Sequence, residues 1–178
     1  GGGTLRDVLI GYFPPRMFTN FHYVLLACLC ALVVFVIARV YKERYVAREK
    51  MIEQINNVFD AVGLGVFAVS GARIGMEAGF ADNMFLTTFL GATTAIGGGM
   101  LRDVLLNEVP LIFRKDIYAI ACICGGLIYY LCMYLDLPAA PTQFIAACSV
   151  ILIRILAVRY GISLPALKGE TRPAPKEK

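Results

Sequence analysis

The sequence predicts an all-α polytopic membrane protein: two three-helix repeats, inverted relative to each other in the membrane, followed by a seventh helix. Three observations carry this. The 178 residues are 58% apolar and 17% charged, with a mean hydropathy of +0.69, too apolar for a 19.5 kDa core whose surface must still meet water. The apolar residues gather in blocks of about twenty, enough to cross about 30 Å of hydrocarbon at 1.5 Å per residue. A nine-residue segment, GGGTLRDVL at 1–9, recurs as GGGMLRDVL at 97–105. The composition excludes a soluble enzyme, and lipid excludes open strands, whose backbone groups would stay unpaired.

In chain order, 1–40 reads as the remainder of the first repeat: half of a broken helix, then a plain span at 23–40. A basic connector follows at 41–57. The second repeat fills 58–135, with spans at 58–79, 84–106 and 117–135. An extra span lies at 143–160. The tail at 164–178 holds three Pro among alternating charges and is expected to be disordered.

Charge sets the orientation. Arg39, Lys42, Arg44, Arg48 and Lys50 cluster around the first connector, Arg114 and Lys115 follow the third span, and Arg159, Lys168, Arg172, Lys176 and Lys178 end the chain. The links at 80–83 and 136–142 hold no Lys or Arg. Alternating sides puts every basic segment on one face, expected to be cytoplasmic, in a multi-pass protein of the bacterial inner membrane. The net charge of +4 is therefore topological and forms no nucleic-acid patch.

The repeat extends beyond the nine residues. Allowing one extra residue in the first copy, Pro15, Phe18 and Tyr23 align with Pro110, Phe113 and Tyr118. The second unit starts near Asp60, well before its glycines, and the first has no counterpart to that stretch. The expectation is therefore an N-terminally truncated chain, with five full spans plus the second half of a broken one. A three-span unit is odd, so the two copies must be inverted, a transport architecture.

Gly1, Gly2 and Gly3, with Gly97, Gly98 and Gly99, are read as helix kinks at a pore. Each glycine weakens a helix by roughly 1 kcal/mol relative to Ala, and freed carbonyls can replace a cation's water. The competing reading is close helix packing. Arg6–Asp7 and Arg102–Asp103 are candidate gate or kink-fixing pairs, because charge near the bilayer centre is expensive; a structural pair at the membrane boundary is the alternative. Asp60, Ser70, Arg73, Thr93 and Thr94 are candidate pore-lining residues. For Arg73 snorkelling is as good a reading, and some of the threonines should bond the carbonyl one turn back. Gly71, Gly75 and Gly79 form a small-residue packing stripe. Arg154 is read as snorkelling, with an oligomer or anionic-lipid contact as the sharper alternative, and the six Cys as small buried hydrophobes. GLGVFA at 63–68 follows no strand and is rejected as a dinucleotide fingerprint. No nucleophile–base pair, metal motif or phosphate loop is visible, so neither an enzyme nor a cofactor is expected.

With the two GGGxLRD copies, DxxGxxxFAxSG at 60–71 and TAxGGGxxRD at 94–103, residues 1–162 resemble the bacterial relatives of the TRIC (trimeric intracellular cation) channels, a group often labelled glycine transporter. The resemblance implies a homotrimer whose subunits each hold an hourglass pore for monovalent cations such as K+. It implies helices bent at the glycine motifs and a seventh helix, 143–160, peripheral to the pore. The expected ligands are permeant K+ or Na+ and a bound lipid; the expected partners are other copies of the chain and membrane lipid. The residues themselves leave two functions open, a passive cation channel and a secondary transporter of a small solute such as glycine.

Overall fold

A computed structural model describes residues 1–40, 49–114, 117–160 and 162. Their helices are α1 (Gly2–Leu9), α2 (Arg16–Thr19), α3 (Phe21–Val40), α4 (Glu49–Gly75, continued by a π-helical turn, Met76–Phe80), α5 (Met84–Leu105), α6 (Leu111–Arg114), α7 (Ile117–Tyr134) and α8 (Ala139–Tyr160). Four stretches are long and apolar enough to cross a membrane: Gln54–Phe80, Met84–Leu105, Ile117–Tyr134 and Ala139–Tyr160. In α3 the shorter segment Phe21–Ile37 is apolar, and the 20-residue helix around it reaches about 30 Å.

Three element boundaries differ from the sequence expectation. α4 begins at Glu49, so the last part of the connector, 49–57, is helical. The segment EKMIEQINN contains no Gly or Pro and several strong helix formers, whereas hydropathy registers only the apolar part downstream. α8 begins at Ala139, because Pro141 falls in its first turn, where a missing N–H costs nothing. The expected interruption at Gly97, Gly98 and Gly99 is not a gap: α5 is one α-helix from Met84 to Leu105. The break in this half of the chain falls at Gly79, whose φ of 96° ends α4 and suits only a residue without Cβ. Asn83 then caps α5, its side chain accepting from the Leu86 amide at 2.9 Å. Residues 41–48 of the connector and the tail at 164–178 lie outside the described residues.

The repeat is visible bond for bond. After each Arg–Asp pair the chain turns through a residue at positive φ, Gly11 (73°) and Asn107 (56°), and the Tyr12 and Glu108 amides donate to the Asp7 and Asp103 carbonyls, each at 2.8 Å. A Pro follows, then a one-turn helix, then a span. The extra residue of the first copy lies between Tyr12 and Pro15.

Glycines set how closely the helices approach. α1 packs on α5, with Gly2 facing Gly98. A Cβ on Gly2 would run into the Thr94 carbonyl, and one on Gly1 would lie 2.9 Å from the Gly98 Cα. α4 packs most extensively on α5, where a Cβ on Gly71 would strike Thr94 and one on Gly91 would lie 2.6 Å from the Ala68 carbonyl oxygen. Gly65 meets α8 in the same way, at 2.7 Å from the Ala147 carbonyl oxygen. In lipid, where apolar side chains gain little by leaving solvent, such backbone approach is what holds helices together.

Gly71→Val should destabilise the protein by about 1–3 kcal/mol through overpacking. Gly63→Ala, whose new Cβ would find its nearest neighbour at 3.9 Å, should stay near the parent. Thermal melting in detergent measures both.

Candidate functional site: two cavities either side of the glycine crossing

The Arg–Asp pairs are built alike. Arg6 donates to Asp7 Oδ1 from Nε at 3.0 Å and from a terminal nitrogen at 2.7 Å. The Arg16 amide, first of α2, donates to Asp7 Oδ2 at 2.9 Å. In the second copy Arg102 donates to Asp103 Oδ1 at 2.9 and 2.8 Å, and the Leu111 amide, first of α6, donates to Oδ2 at 3.0 Å. Each aspartate is thus a chelated anion and the cap of the next short helix. The copies differ in burial: Arg6 is buried, while the Arg102 side chain is 57% exposed.

Two cavities flank the crossing of α1 and α5. One, of about 400 Å³, is lined by Asp60, Gly63, Phe67, Thr94, Arg102 and Tyr118, with glycines of both runs. The other, of about 600 Å³, takes in Arg6, Asp7, Arg16, Phe67, Ser70 and Thr94, with one face of α3. They share Gly1, Gly3, Phe67 and Thr94. Arg102 and Tyr118 in the first match Arg6 and Tyr23 in the second, so the pair follows the inverted repeat. One stripe of α4, residues 60, 63, 67, 70 and 74, borders both. From Asp60 to Ile74 it runs about 21 Å at 1.5 Å per residue. A third cavity, of about 460 Å³, adjoins the second through Arg16, Ser70 and Ile74, and adds Arg73 and Glu77.

The sequence candidates divide accordingly. Gly1 and Gly3 border both cavities, Gly2, Gly98 and Gly99 the first, and Gly97 a separate apolar groove; Gly97, Gly98 and Gly99 lie within one continuous helix. Thr94 lines both cavities and donates its hydroxyl to the Leu90 carbonyl, one turn back, at 2.6 Å. Asp60 and Ser70 lie in different cavities. Arg73 pairs with Glu77 at 2.6 Å, both half-exposed, and is not brought together with Asp60. Thr93 faces a separate apolar groove between α5 and α7. Of the glycine stripe, Gly71 and Gly75 pack against α5, while Gly79 meets nothing within 4 Å. Cys122 is buried, but Cys30 and Cys148 are exposed, because helices that face lipid bury only part of their apolar residues, and Cys28 borders the second cavity.

The sequence left Phe67 and Tyr118 without a role and misread Arg154. Phe67 projects where the cavities meet, and Tyr118 donates to Asp60 Oδ1 at 3.1 Å. Arg154 does not snorkel. It is 2% exposed, forms an ion pair with Asp60 Oδ2 at 3.7 Å and lies over the Tyr118 ring at 4.7 Å. Its place more than one turn before Arg159, inside the apolar run of α8, was the available signal. Among the described residues no three His, Cys, Asp or Glu side chains gather to hold a metal.

Inverted repeats around two facing cavities define a class, the polytopic helical membrane proteins with a pathway at the repeat interface. Comparison with known proteins narrows it. The chain belongs to the Glycine transporter family, whose model matches residues 1–39 and 57–134. It is 32% identical over 167 residues to a UPF0126 membrane protein of Vibrio cholerae, covering 93% of this chain and 65% of that protein. It is 31% identical to the UPF0126 inner membrane protein YadS of Escherichia coli, covering 93% of this chain and 76% of the relative. Among solved structures it matches a TRIC cation channel with a TM-score of 0.83 and 32% identity, over 97% of this chain and 80% of that one. The TRIC trimeric intracellular cation channel orthologue from Rhodobacter sphaeroides matches with a TM-score of 0.79 and 30% identity, over 91% and 78%. The fold is therefore that of the TRIC channels.

Asp7→Ala leaves Arg6 buried without a counter-charge and should lower stability by about 3–5 kcal/mol. Asp103→Ala should lower it by only about 1–2 kcal/mol, because the exposed Arg102 recovers water. Chemical denaturation in detergent would show the inequality between the copies.

Proposed function

We propose that the protein is a passive channel for monovalent cations, K+ among them, with one pathway in each subunit of a homotrimer. The observation that carries this reading is the pair of repeat-related cavities meeting at Gly1, Gly3, Phe67 and Thr94 along one stripe of α4. A cation entering beside Asp60 and Tyr118 meets a carboxylate that is held and partly offset. It then passes the Thr94 hydroxyl and the bare glycine backbone, and leaves through the cavity bordered by Ser70. Phe67 supplies the apolar constriction, which excludes ions when narrow and dry. The Arg–Asp pairs hold the ends of α1 and α5 and cap the next helix, rather than offering free charge to the ion. The likeness to TRIC cation channels supports the ion class, and the trimeric Rhodobacter orthologue supports the assembly. The charge alternation supports an inner-membrane orientation with the connector and C-terminus cytoplasmic, which places the Asp60 cavity on the cytoplasmic side.

A second reading, uptake of glycine or a similar zwitterion, is favoured by one feature. Asp60 and Arg102 border the same cavity and present opposite charges to an ammonium and a carboxylate.

The full-length protein in planar bilayers under a K+ gradient should give discrete openings that reverse near the K+ equilibrium potential. Phe67→Ala should raise unitary conductance roughly twofold by widening the constriction. A silent bilayer together with saturable, gradient-driven uptake of labelled glycine into liposomes would replace the channel with the transporter.

A further inference from the structure

Arg154 ties the span outside both repeats to the Asp60 cavity through Asp60 and Tyr118. Arg154 is buried in the last third of α8, and neither its Nε nor the terminal nitrogen nearest Asp60 has a hydrogen-bond partner among the described residues. A guanidinium buried with hydrogen bonds unmade is costly, and an apolar residue of similar volume would commonly be as stable or more so. What the arginine contributes is charge and position. It lies over the Tyr118 ring at 4.7 Å and 3.7 Å from Asp60 Oδ2, while Tyr118 holds the other carboxylate oxygen at 3.1 Å. Asp60 and Tyr118 line the cavity; Arg154 is not among its lining residues.

We infer that Arg154 is a positioning residue for the cation pathway, holding Asp60 to the wall beside Tyr118 and offsetting its charge, and so setting how tightly that mouth retains a cation. This rests on the channel reading. With Arg154 in place, Asp60 attracts cations without trapping them; conduction needs a site strong enough to enter and weak enough to leave. Without it, the full carboxylate charge faces the cavity.

The test is the K+ dependence of unitary conductance. Arg154→Gln should lower the half-saturating K+ concentration severalfold and also lower the maximal conductance, so that its curve crosses the parent's. Arg154→Lys should restore the parent curve, and Asp60→Asn/Arg154→Gln should abolish the tight site. A purely structural Arg154 would change the number or lifetime of openings without moving the half-saturating concentration, and that result would overturn the inference. Should Arg154→Gln not fold, Asp60→Asn and the double variant take its place: the cation left alone in the first should raise the half-saturating concentration, and its removal in the second should bring it down. Equal values would sink the proposal.

Melting in detergent against rising KCl, with choline chloride as control, reads the site without current. Arg154→Gln should gain a K+-specific stabilisation absent from the double variant. If that gain is missing the inference fails even when the parent carries no current, whereas a silent parent alone counts only against the channel reading.

Discussion

Backbone contact between the two glycine runs is the constraint on which the rest of the structure depends. Gly2 and Gly98 occupy equivalent places in the two copies and face each other, so the pseudo-two-fold relation of the repeats passes between them. No side chain larger than hydrogen fits at Gly2, since its Cβ would overlap the Thr94 carbonyl, whereas one on Gly98 would lie at ordinary contact, 3.4 Å from the Gly2 amide nitrogen. Because α1 and α5 touch at this point, one Arg–Asp pair lies at each end of the bundle and one cavity on each side. The sharing of Gly1, Gly3, Phe67 and Thr94 by the two cavities is a geometric consequence of that crossing.

Charge inside such a bundle needs local compensation, and the chain supplies it in two ways. In the repeats the counter-ion is the next residue: Arg6 folds onto Asp7 and Arg102 onto Asp103, leaving the second carboxylate oxygen for the Arg16 or Leu111 amide. Such a unit can sit in an apolar wall with little demand on its neighbours. Asp60 is held differently, by a hydroxyl from α7 and a guanidinium from α8, groups that come together only when three helices pack.

The last helix therefore does more than fill space. The family resemblance implies a peripheral seventh helix, and most of α8 does face outward, yet Arg154 passes through the packing of α4 and α7 to the carboxylate at one mouth. Val150 and Ala146, on the same face of α8, are fully buried, and a Cβ on Gly125 of α7 would collide with Val150. That close fit holds the arginine against Tyr118.

Hydropathy blocks and the GGGxLRD duplication determined the helical class and the inversion of the repeats, because span length and repeat parity are properties of one dimension. The glycines could be read from the sequence as special but not why: a run that permits a kink and a run that permits contact are written alike, and only the crossing of α1 on α5 shows the second. Asp60 stood out as a charge near a span, whereas Phe67 looked like any apolar residue, and Arg154 looked like a side chain bound for the lipid surface. Tertiary packing decided all three, since which face of a helix meets a cavity depends on neighbours far away in the chain. Sequence fixes local geometry and the total burial required of the chain; the partner of each buried charge is chosen only when the helices pack.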